Sequence, residues 1–157
     1  MVIWCNAVAA GASYSYPEEP MKTKKVIVFT DGAAEPNPGP AAIGAVIKDE
    51  QGKVIATISQ SIGRSTNNQA EYRAVIAALE KAIKLSATHV NLYSDSELVV
   101  KQLSGGYRVK KAELKPLYQK VKQLQSSLEG FNITHIPRWQ NAEADKLTNL
   151  ALGLPVD

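Results

Sequence analysis

The chain has one cysteine in 157 residues, Cys5. A single thiol excludes an internal disulfide and suits a reducing compartment, so the cytoplasm is the expected location. No run approaches the roughly 18 apolar residues that a membrane-spanning helix needs, so no membrane partner is expected. Residues 1–20 lack the basic start of a signal peptide, and their apolar run is broken at Asn6. Pro17-Glu18-Glu19-Pro20 reads as a linker, and Met21-Lys22-Thr23-Lys24-Lys25 as the beginning of a domain. The expected organisation is therefore a tail over residues 1–20, of unassigned role, and one domain over 21–157. There is no internal repeat, and this length suffices for a single domain with a real core; a monomer is the expectation, which length does not decide. Between Lys101 and Lys122 acid is nearly absent: six lysines and one arginine stand against Glu113 alone. Such a run is either a solvated helix face or a surface for phosphate backbones. Over the whole chain the net charge is only +3, with 45% hydrophobic and 21% charged residues, ordinary for a globular protein.

The strongest local signal is Val26-Ile27-Val28-Phe29-Thr30-Asp31-Gly32. Four consecutive β-branched or aromatic residues predict a strand buried on both faces. That strand delivers a carboxylate to its C-terminal end, where α/β proteins build their sites. Three prolines between Ala33 and Pro40 predict a rigid turn. Ala41–Lys48 and Val54–Gln60 read as strands joined by a turn at Asp49-Glu50-Gln51-Gly52. Ser61–Asn68 reads as a polar loop.

Asn67-Asn68 opens a helix through about Leu85, with apolar residues at spacings of three and four. Ala87–Tyr93 is a fourth strand, Glu97–Leu103 a short helix, and Tyr107–Lys111 a basic connector. Glu113–Leu128 reads as a helix with Pro116 in its first turn. Phe131–Ile136 is a fifth strand and Asn141–Leu152 a last helix. The order βββαβααβα predicts an α/β fold, a mixed five-stranded sheet built from a meander and helical crossovers.

Four carboxylates invite a functional reading, and each has a plainer alternative. Asp31 could belong to an Asp-Gly turn. Glu71, three residues after Asn68, fits a capping box. Asp95 could cap the helix that follows it. Asp145 suits the positive end of the last helix. Taken together, two end neighbouring strands and two sit in the first turns of helices that could cover the same sheet end. Four converging anions demand a cation, and oxygen ligands select Mg²⁺ or Mn²⁺. Two such ions about 4 Å apart could clamp a scissile phosphate.

Four segments carry a family resemblance: Thr30-Asp31-Gly32 with Asn37-Pro38-Gly39-Pro40, Thr66-Asn67-Asn68-Gln69-Ala70-Glu71, Ser94-Asp95-Ser96, and Asn141-Ala142-Glu143-Ala144-Asp145. In this order the chain resembles ribonuclease H of the type 1 family from about Lys24 onward. The resemblance implies a ribonuclease H-like sheet in the order 3-2-1-4-5, strand 2 antiparallel, flanked by helices. It implies endonucleolytic cleavage of the RNA strand of RNA–DNA hybrids with two Mg²⁺ ions, leaving 5′-phosphate and 3′-hydroxyl ends, with Mn²⁺ able to substitute. Asp31, Glu71, Asp95 and Asp145 fall on the family's metal-binding catalytic carboxylates. Asn37, Asn67 and Asn68 fall where the family reads the hybrid's minor groove, where amides suit 2′-hydroxyls and base edges. Arg64 and Thr66 fall in its pocket for a DNA-strand phosphate, just before a helix N-terminus. Capping is the plainer role for Asn67 and Asn68.

The chain departs from the best-known members in three places. The flexible His-bearing loop before the last helix is missing, since only Trp139 and Gln140 separate Arg138 from Asn141. His135 lies inside the expected fifth strand, where a structural role is the plainer reading. Arg138 is the better candidate to contact phosphate near Asp145. The basic protrusion is reduced to Gly105–Lys111, with Tyr107 its one aromatic. Glu97 stands where many relatives have Gln. A compact branch of the family, common among archaea and some bacteria, shares this shortened form. Two other readings stay open: a same-fold nuclease or integrase-type relative acting on duplex RNA or DNA, and a non-catalytic hybrid-binding module. The asparagine pair argues against a DNA substrate, and the presence of all four carboxylates against the module.

Overall fold

β1 (Lys25–Ala34) is the middle strand of a five-stranded sheet. The structure, a computed structural model, describes residues 23–156, so the expected tail lies outside the described residues. β2 (Gly39–Lys48) pairs antiparallel with β1 on one side, and β3 (Val54–Ser65) pairs antiparallel with β2 beyond it. On the other side β4 (His89–Ser94) and then β5 (Gly130–His135) add in parallel. The order is 3-2-1-4-5 with strand 2 antiparallel, as expected.

Alternation along β1 sends Val26 and Val28 to one face, where neighbouring strands add Ile47, Val90 and Leu92. Over this face lies α1 (Asn67–Lys84), whose Tyr72, Val75, Ala78 and Leu79 are fully buried. α2 (Glu97–Leu103) and α3 (Lys115–Gln125) close the same core with Val99, Leu103 and Val121. The Tyr72 hydroxyl escapes burial without a partner by donating to Gln102 Oε1 at 2.6 Å.

α4 (Ala142–Leu152) packs on the opposite face, against β1, β2 and β3. It lies directly on β2 at Gly44, where a Cβ would stand 2.4 Å from the Ala144 carbonyl oxygen. No helix among the described residues is long and apolar enough to cross a membrane.

Several boundaries differ from expectation. Ser61–Ser65 is strand rather than loop, because Arg64 and Ser65 pair with Pro40 and Gly39. An edge strand meets its backbone needs through one neighbour while its side chains face water, so a polar sequence does not end it. The proline-rich turn is shorter than expected, since β1 stays paired through Ala34 opposite Ala41. α3 begins at Lys115 rather than Glu113. Pro116 cannot donate to a preceding turn, which confines it to the first positions of the helix. Its C-terminal end tightens into i to i−3 bonds, Ser127 N–H to Leu124 and Leu128 N–H to Gln125, so α3 stops short of Leu128.

Candidate active site

β4 pairs with β1 only as far as Ser94 opposite Thr30. β1 runs on to Ala34, bound to β2 alone. That mismatch leaves a notch beside Asp31, the first residue of β1 past the end of the ladder. Asp95 is the first residue after β4. Asp31 pairs with Gly44, so its side chain leaves the sheet on the α4 side, and Gly32 faces α1. A Cβ on Gly32 would lie 2.3 Å from the Ala70 carbonyl oxygen. Glycine here lets α1 approach the strand closely enough to bring Glu71 to the notch. One carboxylate oxygen from each of Asp31, Glu71 and Asp95 lies within 4.8 Å of the others.

The plainer alternatives for these acids fail. The capping box of α1 is made by Thr66 and Gln69: the Thr66 hydroxyl accepts from Gln69 N–H, and Gln69 Oε1 accepts from Thr66 N–H at 2.9 Å. Glu71 therefore sits one turn inside the helix, not in its first turn. α2 is capped by Ser96, whose hydroxyl accepts from Val99 N–H, so Asp95 is not the cap. Asp31 lies within β1, not in a turn.

Electrostatics follow from this crowding. Burial, then the charge of Asp95, pushes the Asp31 carboxyl up to about 6. Burial, then Asp31 and Asp95, raises Glu71 well above the usual carboxylate range. Burial also raises Asp95, against the pull of the Arg138 guanidinium. Glu71 Oε1 is buried with no hydrogen-bond partner. An orphaned carboxylate oxygen facing two further carboxylates suits a hard divalent cation, and an all-oxygen set excludes soft metals.

Asp145, on the first turn of α4, stands apart from this trio. Its Oδ1 accepts from Arg138 Nη2 at 3.3 Å and its Oδ2 from Asn149 Nδ2 at 3.4 Å. It remains near enough to help raise Asp31. Two buried contacts that sequence reasoning missed fix α4 against β1. Asn141 Nδ2 donates to the Thr30 carbonyl at 2.8 Å, and the Thr148 hydroxyl lies between the Ala144 carbonyl at 3.1 Å and the Asp31 carbonyl at 3.3 Å, either of which can accept its proton. Asn141 belongs to the segment that carries the resemblance, but only as the start of a helix. Nothing in the local sequence signals Thr148.

A cleft of about 400 Å³ opens over the carboxylates, with Glu35, Asn67, Asn68, Arg138, Leu152 and Leu154 among its walls. Leu154 reaches it because Gly153 turns the chain back in the left-handed region, with Leu154 N–H on the Asn149 carbonyl. Asn67 Oδ1 accepts from Ala34 N–H at 2.7 Å, and Asn37 Oδ1 accepts from Asn67 N–H at 3.0 Å. Both amide oxygens are thus used in joining the β1–β2 turn to α1. Neither Nδ2 group has a partner among the described residues. Arg64, near the end of β3, and Thr66, the N-cap of α1, lie outside the cleft wall, with the Thr66 hydroxyl used in capping. His135 is exposed at the end of β5, outside the carboxylate trio. Glu97 pairs with Lys101 at 3.6 Å on the surface of α2. In the basic stretch Lys101, Arg108, Lys110, Lys111 and Lys115 are exposed, whereas Lys122 turns inward to the Leu103 carbonyl.

Residues 29–151 match the family model described as "Reverse transcriptase-like". Ribonuclease HI of Halobacterium salinarum is 41% identical over 134 residues, 85% of this chain and 67% of that protein. Its crystal structure superposes with a TM-score of 0.80 over 82% of this chain and 98% of that one. The chain belongs to the type 1 ribonuclease H family. Within the family, it is also similar to the N-terminal RNase H domain of a bifunctional Mycobacterium tuberculosis protein, with 44% identity and a TM-score of 0.79 over 81% of this chain and 98% of that domain. The chain spans only 35% of the full length of that mycobacterial protein. LC11-RNase H1, solved in complex with an RNA/DNA hybrid, is 41% identical with a TM-score of 0.77, covering 82% of this chain and 96% of that one.

Proposed function

We propose that the domain over residues 21–157 is an endoribonuclease that hydrolyses the RNA strand of RNA–DNA hybrids, leaving 5′-phosphate and 3′-hydroxyl ends. The observation that carries this reading is the convergence of Asp31, Glu71 and Asp95 from three elements, with the buried Glu71 Oε1 left unpaired. These three residues would hold Mg²⁺, or Mn²⁺ in its place, with Asp145 completing the set from α4. The bound ions, two in this reading, supply activation of the attacking water and neutralisation of the phosphate charge.

The chain's own groups do the rest. Asn37 and Asn67 present their NH₂ groups to the hybrid's minor groove, where 2′-hydroxyls and base edges accept hydrogen bonds. Asn68, in the same cleft wall, extends that row. Arg64 and Thr66 receive a phosphate of the DNA strand. Arg138 places a permanent positive charge beside the scissile phosphate; a guanidinium stays protonated and serves as no base. Water adds at phosphorus and the 3′-oxygen departs, taking a proton. The same reading gives a monomer in the cytoplasm.

The test is cleavage of an end-labelled RNA–DNA hybrid beside matched duplex RNA and duplex DNA, with Mg²⁺, Mn²⁺ or chelator. The expected result is metal-dependent cutting of the hybrid's RNA strand alone, with loss of cutting in Asp31→Asn. Tight hybrid binding without cutting under either metal would overturn it.

A further inference from the structure

Trp139 is 77% exposed, the most exposed of the large hydrophobic side chains among the described residues. An indole left in water loses the burial that so large an apolar side chain can contribute. The residue sits in a single 3₁₀ turn, Arg138–Gln140, closed by Gln140 N–H on the Pro137 carbonyl and Asn141 N–H on the Arg138 carbonyl, each at 2.9 Å. The turn is anchored in turn by the buried Asn141 side chain on the Thr30 carbonyl, one residue before Asp31. Position and orientation of the turn are therefore set by the strand that bears the first carboxylate.

The neighbour on its N-terminal side, Arg138, lines the carboxylate cleft and reaches Asp145. Trp139 is thus the next residue along the chain from a cleft-lining side chain, on a hydrogen-bonded turn, with its indole exposed. We propose that Trp139 is a substrate-contact residue whose indole lies against the sugar face of a nucleotide flanking the cut. This rests on the hybrid-cleavage reading above. In a paired duplex the base faces are already stacked, so the apolar surface offered to an indole is the sugar and the groove edge. A strand lying in the cleft against Arg138 passes beside the turn that carries Trp139. The guanidinium beside it meets the adjoining phosphate, so the pair grips one nucleotide by charge and by apolar contact.

The experiment compares steady-state cleavage of hybrid by the intact chain, Trp139→Phe and Trp139→Ala. Trp139→Ala should raise KM by about tenfold and leave kcat within about twofold, with Trp139→Phe between the two. A second readout does not depend on turnover. In a Trp4→Phe, Asp31→Asn background Trp139 is the one fluorophore of its kind. Its emission should shift saturably as hybrid is added, at the same concentrations that saturate the anisotropy of labelled hybrid. An unchanged KM in Trp139→Ala, or saturated binding with unaltered Trp139 emission, overturns the proposal while leaving hybrid cleavage standing. An intact chain that neither binds nor cuts hybrid overturns the function itself and this contact with it.

Discussion

Arg138 Nη2 stands 3.3 Å from Asp145 Oδ1, so the acid proposed as the fourth of the site carries its own cation while Asp31, Glu71 and Asp95 face one another. Arg138 is largely exposed, and a pair so open to water contributes little to stability. Its effect falls on the site instead, since Arg138 opposes the upward shift of both Asp31 and Asp95. Arg138→Gln should leave the melting temperature within about 2 °C. It should raise KM for hybrid several-fold and lower the Mg²⁺ concentration giving half-maximal rate, because Asp145 is released to a cation. A metal titration of the cleavage rate checks this, and a higher Mg²⁺ requirement would contradict it.

The trio of carboxylates makes the metal-free fold sensitive to pH in a stated direction. Asp31 is raised from 3.8 to about 6 in the folded state, so the native chain binds a proton more tightly than the unfolded one. Stability of the metal-free protein is then greatest at low pH from this group and is lost as pH rises from about 4 to about 6, by up to about 1.4 kcal/mol per unit. Glu71 shifts in the same direction and adds to the loss. Thermal melts in chelator should show a falling Tm across this range, and millimolar Mg²⁺ should restore it. A chelated protein whose Tm rises there would refute the assignment.

Asp31→Asn removes one charge from that crowd while keeping its shape. Cleavage should fall by several orders of magnitude. The metal-free fold should gain about 1–3 kcal/mol at pH 7, because a buried anion has been neutralised. Denaturant unfolding in chelator measures the gain. A variant both inactive and less stable would point to structural damage rather than loss of a ligand.

Gly32 tests the geometry that delivers Glu71. A methyl group there meets the Ala70 backbone at 2.3 Å, and neither strand nor helix can yield without disturbing the core. Gly32→Ala should cost about 3 kcal/mol and reduce cleavage far more than the loss of folded protein explains. Activity per folded molecule, set beside the unfolding curve, separates the two effects.

Asn67 has one structural and one recognition group. Its oxygen holds Ala34 N–H, and its NH₂ has no partner among the described residues. Asn67→Asp keeps the acceptor and loses the donor; Asn67→Ala loses both. Only Asn67→Ala should destabilise the fold, by about 1 kcal/mol, while both should raise KM for hybrid. Equal destabilisation by the two variants would show that the oxygen contact is not what matters.

Much of this was legible along the chain. The run Val26–Gly32 declared a buried strand, and the spacing of Ala70, Ala74, Val75 and Leu79 declared the helix over it, because burial periodicity is a local property of sequence. What misled was local in the same way. Glu71 and Asp95 stand near helix starts, where capping competes with any other role, and only the bonds from backbone N–H groups to the Thr66 and Ser96 hydroxyls reveal that these two are the caps. The polar Ser61–Ser65 looked like loop because edge pairing leaves no mark on side-chain polarity.

The sequence by itself determined the order of elements and the family and supplied the four candidate acids, since each is written in short contiguous segments. Only the tertiary structure decided which acids meet. Asp31 and Asp95 come together because β4 ends four residues before β1 does, a difference in strand length that neither segment contains. Glu71 joins them through the missing side chain of Gly32, and Asp145 is held on Arg138 while Asn141 and Thr148 pin α4 to the strand. Repulsion among charges and the close packing of helix on strand act through space between residues 24 to 117 positions apart, and those distances are set by the fold alone.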